Sequence, residues 1–259
     1  MSDAMLSARG LHKRFGAVVA ADDVSVDLAP GVTVGIIGAN GAGKTTFVNM
    51  VTGYLKPDRG RILLGETDIT PLAPREVTRL GVRRSFQVAQ LFPNLSVRDN
   101  VLVALAAAEV ERPAIQAPLH TAPRIAAAET LLERIGLADA GDRAITELPQ
   151  GNRKLLDIAL AMVGRASALL LDEPTSGISA EEKFPLMDLI MEALATSETT
   201  VLFVEHDMEI VERYAARVLA FYDGRIIADG VPHTVLADRD VRRYVVGSEM
   251  HRRDGGAGP

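Results

Sequence analysis

The sequence predicts an α/β fold in which a helical lobe interrupts one α/β core. Strand patterns dominate residues 6–86, helical patterns fill about residues 88–161, and strands alternate with helices again from residue 168. A chain of 259 residues is long enough to bury a sizeable core as one large domain with an inserted lobe. We therefore expect one domain over residues 1–248 and a flexible, Gly-rich tail over residues 249–259.

The strand predictions rest on short apolar or alternating runs that turn residues separate. Residues 24–28 alternate apolar and polar side chains, which is typical of a strand with one buried face. Residues 168–171 are entirely apolar, as expected for a strand that is covered on both faces. The predicted strands are 6–9, 24–28, 32–37, 61–64, 82–86, 168–171, 200–204 and 217–221.

Helices are predicted in two parts of the chain. Within the lobe, residues 98–107, 125–135 and 153–162 have helical periodicity. Residues 111–123 contain three prolines and are expected to form a surface connection. A further helix, residues 208–214, is predicted between two of the later strands.

Composition excludes several classes of function. The formal net charge is −6, so we expect no electrostatic footprint for nucleic acid. The chain has no cysteine, which excludes disulfides, cysteine nucleophiles and thiolate metal sites. No signal peptide is recognisable, and the longest apolar run, residues 101–108, is too short to cross a bilayer. We therefore expect a soluble, cytoplasmic protein whose membrane role, if any, comes through a partner.

One stretch carries the strongest chemical signal. Residues 38–46 fit the pattern Gly-x-x-x-x-Gly-Lys-Ser/Thr between an apolar strand and a helix pattern, which is the context this motif requires. The glycines allow a tight loop whose N–H groups converge on phosphate oxygens, where the helix dipole adds positive charge. Lys44 is expected to reach the β- and γ-phosphates and the Thr45 hydroxyl to bind Mg²⁺. The predicted nucleotide-binding residues of this loop are Gly38, Ala39, Asn40, Gly41, Ala42, Gly43, Lys44, Thr45 and Thr46.

A second signal is a pair of carboxylates at the end of an apolar strand. Asp172 and Glu173 directly follow residues 169–171. Because successive side chains of a strand point to opposite faces, the pair is expected to separate into two roles. Asp172 would hold Mg²⁺ through its water shell, and Glu173 would orient and polarise the attacking water.

Two more polar residues stand at predicted strand ends. Gln87 follows residues 82–86 and can touch metal and water, although an isolated Gln is more simply explained as an ordinary polar residue. His206 closes the strand of residues 200–204, which comes after the strand of Asp172. From that position its ring can contact a γ-phosphate and position water.

Taken together, these residues resemble the ATP-binding subunit of ABC transporters over residues 6–246. The resemblance implies a P-loop NTPase (RecA-like) ABC core with an inserted helical subdomain at about 88–161 and an N-terminal antiparallel β region. Arg84-Ser85-Phe86-Gln87 and Val204-Glu205-His206-Asp207-Met208 look most like importers of branched-chain and hydrophobic amino acids. The set that carries the ABC resemblance is Phe15, residues 38–46, Gln87, residues 148–152, residues 171–173 and His206.

The resemblance also implies roles by position. Phe15 would stack on adenine, unless it is a buried core residue, and residues 88–95 would face a cytoplasmic loop of a permease. Residues 174–179 stand where the family has its dimer-facing loop, which commonly ends in Asp where this chain has Ser179. The implied cofactors are ATP and Mg²⁺. The implied catalytic residues are Glu173, His206 (the switch histidine), Gln87 and Lys44, and the implied metal ligands are Thr45, Gln87 and Asp172.

The signature loop departs from the family pattern Leu-Ser-Gly-Gly-Gln. This chain reads Leu148-Pro149-Gln150-Gly151-Asn152 before a predicted helix. Pro149 lacks a hydroxyl and a backbone N–H for a γ-phosphate, although proline near a helix start is ordinary capping chemistry, and Gly151 can still bind phosphate. In the ABC arrangement two subunits sandwich two ATP molecules, each between one phosphate loop and the other chain's signature. We hypothesise a heterodimer with one competent and one weakened site.

The function implied is an ATPase subunit that powers an importer from the inner face of the cell membrane. Its partners would be membrane permease subunits, a second ATP-binding subunit and, indirectly, a solute-binding protein, with no nucleic acid. A soluble, non-transport ABC ATPase remains an alternative, which the acidic charge disfavours. A low-turnover ATP-binding regulatory module is another, which Glu173 and His206 disfavour. The sequence does not name the cargo, because an ATPase subunit does not touch it.

Overall fold

The computed structural model describes residues 4–85, 91–109, 118–164, 166–195 and 198–247. Strands and helices alternate along most of this part of the chain. The strands are β1 (Leu6–Phe15), β2 (Val18–Leu28), β3 (Thr33–Gly38), β4 (Arg59–Leu64), β5 (Thr67–Asp68), β6 (Val82–Ser85), β7 (Ala168–Asp172), β8 (Thr200–Val204), β9 (Arg217–Tyr222) and β10 (Arg225–Gly230). The helices are α1 (Lys44–Val51), α2 (Pro74–Arg79), α3 (Val97–Glu109), α4 (Ala122–Arg134), α5 (Gln150–Met162), α6 (Lys183–Leu194), α7 (Met208–Tyr214), α8 (Pro232–Ala237) and the single turn α9 (Arg239–Val241).

A six-stranded sheet forms the centre of the molecule, in the order β10-β9-β3-β8-β7-β6. Its neighbours pair in parallel except β9 and β10, which form an antiparallel hairpin. Because β3, β6, β7 and β8 run the same way, they end at one edge of the sheet, at Gly38, Ser85, Asp172 and Val204. We call this edge the carboxyl edge. It is where ligands bind in open parallel sheets.

Strand β7, which lies between β8 and the edge strand β6, is covered on both faces, as its apolar run predicts. Leu169 and Leu171 belong to a core cluster shared with the helices α3–α6, whereas Leu170 belongs to a second cluster with α1. In the second cluster Phe47 of α1 packs against Phe221 of β9, with 5.5 Å between the ring centroids. Helix α1 is thereby fixed against the sheet beside the loop that precedes it.

A second, antiparallel sheet has the order β2-β1-β4-β5. The predictions of strands at 6–9 and 24–28 were too short, because β1 and β2 continue to a hairpin turn between Phe15 and Val18. The register shifts between Ala8 and Leu11, where Gly10 has a φ of 54°. Such an irregularity interrupts the alternation of side chains between the two faces of the sheet. The sequence therefore lacks a continuous alternating pattern that would predict the full strand.

Among the described residues between β6 and β7, three segments are α-helices, namely α3, α4 and α5. Helices α3 and α4 pack through buried apolar side chains, including Val101, Leu102 and Leu132. The prediction that a helix begins at Arg153 was wrong, since α5 begins at Gln150. The predicted surface connection at 111–123 was also too long, because α4 begins at Ala122 with Pro123 in its first turn, a position that suits proline. Residues 110–117 of that connection lie outside the described residues.

Within the ranges that the model describes, every helix is too short or too polar to cross a membrane.

Candidate nucleotide site

The phosphate loop lies between β3 and α1, at the carboxyl edge. Gly38 has a φ of 154° and Gly43 a φ of 105°, a range that L side chains rarely adopt. A Cβ on Gly38 would lie 2.5 Å from the carbonyl oxygen of Phe221, and one on Gly43 would lie 2.5 Å from that of Ala20. The loop therefore needs glycine at both positions, because backbone from β9 and β2 closes around it.

Lys44 is the first residue of α1 and is only 6% exposed. Its Nζ donates to the carbonyl oxygen of Gly38 and, at 3.1 Å, to that of Ala39. The ammonium group therefore lies inside the loop, at a helix N-terminus whose dipole also favours anions. The next residue, Thr45, is exposed at the mouth of the loop. This is the arrangement of charge that a phosphate site needs.

Asp172 is the last residue of β7 and is 8% exposed. Its Oδ2 accepts a hydrogen bond from Nη2 of Arg84 at 2.5 Å, and Nη1 of Arg84 donates to Oδ1 of Asn49 at 2.6 Å. Arg84 thus links the strand of Asp172 to helix α1, a role that its place in the motif Arg84-Ser85-Phe86-Gln87 did not predict. This pairing follows from the position of β6 beside β7 in the sheet, which the sequence pattern does not show.

Glu173 follows the strand in a left-handed conformation, with a φ of 48°. For a residue other than glycine this costs about 1–2 kcal/mol. Its backbone N–H donates to the carbonyl oxygen of Val204 at 3.0 Å, which ties it to the end of β8. The separation of the two carboxylates therefore comes from the end of the strand at Asp172, and not from the alternation of a continuing strand.

The structure brings Glu173 and His206 into direct contact. Nε2 of His206 lies 3.2 Å from Oε1 of Glu173, and both side chains are partly exposed. They come from the ends of β7 and β8, which are neighbours in the sheet, and β8 is itself the neighbour of β3. The phosphate loop, the carboxylate pair and the histidine thus share the carboxyl edge. A partly exposed carboxylate and imidazole in contact can orient a water and move a proton.

Two buried charged residues, Glu205 and Lys154, lie close to the segments that carry Glu173 and His206. The sequence patterns did not predict a role for either. Glu205 accepts hydrogen bonds from Thr175, and burial raises the pKa of its carboxyl. Nζ of Lys154 in α5 lies 3.4 Å from the carbonyl oxygen of Asp172, and burial lowers the pKa of its ammonium. The signal available in the sequence was a charged residue on the apolar face of a helix for Lys154, and a charged residue directly after an apolar strand for Glu205.

Phe15 lies at the tip of the β1–β2 hairpin and is 52% exposed, so it is not a core residue. Nζ of Lys13 lies 5.8 Å from the centroid of its ring. Asp58 holds this tip, since it accepts from Nζ of Lys13 at 2.7 Å and from the backbone N–H of Arg14 at 2.8 Å. Because β2 also closes on Gly43, the exposed ring and the phosphate loop belong to one side of the molecule.

The signature segment lies at the start of α5. Leu148 is buried, Pro149 occupies the N-cap position with φ −55° and ψ 156°, and Gln150 to Asn152 form the first helical turn. The Gln150 side chain lies against Gly177 of the loop after Glu173, where a φ of 75° also favours glycine. Gln87 lies outside the described residues, as do residues 88–90 of the predicted permease-facing segment.

The oxygen donors fit a magnesium ion that arrives with a nucleotide. Thr45 has an exposed side chain in the first turn of α1, and Asp172 ends β7 at the same edge of the sheet, with its Oδ2 accepting from Arg84. Mg²⁺ usually keeps several waters and binds through one or two carboxylates plus substrate phosphates. A sparse donor set next to a phosphate loop suits that mode of binding.

This fold and this edge are those of a known class of protein. A family model described as "ABC transporter" matches residues 21–176, more than half of the chain. The chain therefore belongs to the ABC transporter family, as an ATP-binding subunit that hydrolyses ATP. The predicted α/β P-loop fold with an N-terminal antiparallel sheet is confirmed.

The relatives place the chain in one branch of the family. The high-affinity branched-chain amino acid transport ATP-binding protein LivG of Escherichia coli K12 is 36% identical over 95% of this chain and 99% of its own length. BraF of Pseudomonas aeruginosa, which has the same description, is 33% identical over 95% of this chain and 99% of its own. Among solved structures, the ATP-binding cassette MJ1267 has a TM-score of 0.83 and 30% identity, covering 93% of this chain and 98% of that one. The resemblance predicted from the motifs is confirmed.

Proposed function

We propose that this chain drives the uptake of branched-chain or other hydrophobic amino acids, or related small organic solutes, with Glu173 and His206 at its reaction centre. The contact of 3.2 Å between Oε1 of Glu173 and Nε2 of His206, at the sheet edge that carries the phosphate loop, is the observation on which the proposal rests most. A solvated pair of carboxylates that only opened a turn would need no such contact with the next strand.

In the proposed reaction, water attacks the γ-phosphorus of ATP in line with the bond to the leaving β–γ oxygen, which breaks to give ADP and phosphate. Glu173 accepts the proton of the attacking water, and His206 orients that carboxylate and the γ-phosphate. Lys44 turns from the loop carbonyls to the β- and γ-phosphates and balances their charge. Phe15 stacks on adenine. Mg²⁺, held by Thr45, Asp172 and Gln87, would neutralise charge on the phosphates when bound.

The cargo and the partners are proposed from the relatives. LivG and BraF are described as ATP-binding proteins of branched-chain amino acid transport. A protein of this kind needs a separate membrane part, so we infer permease subunits, and indirectly a solute-binding protein, with the chain held at the inner face of the membrane. Residues 88–161 would form the helical subdomain of a single domain spanning residues 1–248, and residues 88–95 would meet a permease loop.

The altered signature supports a heterodimer over a homodimer. In a sandwich of two chains, residues 148–152 complete the partner's site, while Lys44 and Glu173 act opposite the partner's signature. Pro149 offers no N–H to a phosphate, so the partner's site is the weakened one. The loss of a charge-assisted contact corresponds to about 1.5–3 kcal/mol.

The experiment that tests this proposal is affinity purification of the chain from solubilised membranes, followed by mass spectrometry. Recovery of permease subunits and a second, similar ATP-binding subunit would support the heterodimeric importer. Recovery of the chain paired only with itself would overturn the heterodimer. Recovery of cytosolic proteins alone, from a preparation that keeps other membrane complexes intact, would favour the soluble ATPase.

A further inference from the structure

Glu205 is a buried carboxylate for which the proposed hydrolysis has no role. It directly follows β8 and is 4% exposed. Its Oε1 accepts hydrogen bonds from the backbone N–H of Thr175, at 2.9 Å, and from the Thr175 hydroxyl, at 2.7 Å. Its Oε2 accepts from the backbone N–H of His206 at 3.1 Å. One carboxylate oxygen therefore serves the loop after Glu173, and the other serves the segment that carries His206.

These two segments need to be held, because the contact between Glu173 and His206 depends on both backbones. Glu173 has a left-handed backbone, which a residue with a side chain adopts only when its surroundings impose it. The turn that follows is closed by the N–H of Ser176, which donates to the carbonyl oxygen of Glu173 at 3.1 Å. Thr175 lies inside that turn, so the bonds to Glu205 fix the turn from the side of β8.

We propose that Glu205 is a positioning residue that holds Glu173 and His206 in register for hydrolysis. It acts through the backbone N–H and hydroxyl of Thr175 and the backbone N–H of His206, and it touches neither ATP nor the attacking water. The inference rests on the proposed roles of Glu173 and His206. A carboxylate suits this task because it accepts from donors on two sides at once, whereas an amide at the same position would turn an NH₂ group toward one set of donors.

The test uses variants that remove one part of this contact at a time. Thr175→Val deletes the hydroxyl and keeps the shape, Thr175→Ser restores the hydroxyl, and Glu205→Gln changes the acceptor. The matched control is Thr200→Val, at the other end of β8, where a buried hydroxyl donates to the carbonyl oxygen of Ala29 at 2.9 Å and accepts from the backbone N–H of Gly31 at 3.1 Å. ATP hydrolysis is measured on the full chain as purified with its bound subunits, and thermal unfolding is measured on the same samples.

We expect Thr175→Val to lower kcat about tenfold with KM for ATP within about twofold, and Glu205→Gln to lower it more. Thr175→Ser should recover most of kcat. The double variant should be no slower than Glu205→Gln alone, because both changes break the same contact. Thr200→Val should lower the unfolding temperature with kcat unchanged. Equal losses of kcat in Thr175→Val and Thr200→Val at equal loss of stability would overturn the proposal, since they would show a structural role only.

A second readout does not depend on hydrolysis. The ring signals of His206 in the NMR spectrum of the full chain, assigned with His206→Gln, should shift in Thr175→Val and Glu205→Gln and stay in place in Thr200→Val. Unchanged ring signals in both site variants would overturn the inference. If Glu173→Gln left hydrolysis intact, the proposed function would fail while the ring signals still reported on Glu205. If Glu173→Gln abolished hydrolysis and Glu205→Gln left kcat unchanged, only this inference would fail.

Discussion

The phosphate loop and the signature segment are built alike and differ in what they tolerate. Each precedes a helix N-terminus, α1 in one case and α5 in the other. Gly43 caps α1 with a positive φ and has the carbonyl oxygen of Ala20 where a side chain would begin. Pro149 caps α5 with a φ of −55°, which a proline ring adopts without strain.

Packing therefore constrains the sequence of the phosphate loop more tightly than that of the signature segment. Replacing Gly43 would push backbone apart, so the phosphate loop is constrained by packing as well as by ATP. Replacing a signature serine by Pro149 costs the fold little, because the N–H of an N-cap residue is not needed by the helix. The proposed consequence of Pro149 therefore concerns the partner's ATP site, whereas Lys44 and Glu173 would serve the ATP that this chain itself binds.

Glu173→Gln should have the largest effect. The amide cannot accept the proton of the attacking water, so we expect hydrolysis to fall about 10²–10⁴-fold. ATP should still bind, since the phosphate loop is unchanged. Hydrolysis and nucleotide affinity of the purified complex provide the measurement, and the exposed neighbour Glu181, changed to Gln, serves as a control. Hydrolysis within about threefold of the unmodified protein would remove Glu173 from the reaction.

Pro149→Ser should have the next largest effect, and in the opposite direction. It restores an N–H and a hydroxyl at the start of α5, so hydrolysis by the complex should rise by up to about tenfold. Pro149→Ala, which restores the N–H alone, should give part of the gain. A complex whose activity is unchanged in both variants would show that Pro149 does not weaken a site.

Phe15→Ala should weaken ATP binding by about tenfold, because the stacking of one base on an aromatic ring is worth about 1–3 kcal/mol. Equilibrium binding of ATP to the full chain is the measurement. Phe92→Ala removes a ring that is equally exposed, at 54%, in the segment proposed to face the permease. It should leave ATP binding unchanged, and an equal loss in both variants would refute the stacking role.

The smallest effect should come from Asp58, which holds the hairpin tip. The hydrogen bond from Lys13, followed by that from the Arg14 N–H, lowers the pKa of Asp58 below its ordinary value of 3.8. A lowered pKa in the folded state stabilises the fold above that value, and the stabilisation is lost as pH falls through the folded pKa. The difference in unfolding temperature between the unmodified chain and Asp58→Asn should therefore be greatest well above the ordinary pKa of Asp58 and shrink as the pH falls through its folded pKa. A difference that widens as pH falls would contradict this assignment.

The carboxyl edge could be predicted from the sequence because each of its residues follows an apolar strand. Lys44, Asp172, Glu173 and His206 are all close to a strand end, and parallel strands bring such ends together. Residues whose role depends on pairing across strands were not predictable in this way. Arg84 pairs with Asp172 only because β6 and β7 are neighbours in the sheet, an arrangement that no local pattern encodes.

Helix α6 and strand β10 were not predicted, because the local sequence of each gives a conflicting or weak signal. Helix α6 contains Pro185, and a proline in the sequence suggests that no helix continues through it. Pro185 lies in the first turn of α6, where proline is tolerated. Strand β10 has only partly buried or exposed residues, so its apolar signal is weak. Gln87 stays a prediction, since it lies outside the described residues.

The packing of Gln150 on Gly177 has a consequence for two chains that share two ATP molecules. The first turn of α5 and the turn that follows Glu173 are in van der Waals contact within one chain. In a sandwich of two chains, the first turn of α5 would contact the partner's nucleotide. The turn after Glu173 would lie beside the chain's own nucleotide. Gln150 on Gly177 and Ile178 beside Gly151 both join these two turns, so a displacement of one turn would shift the other.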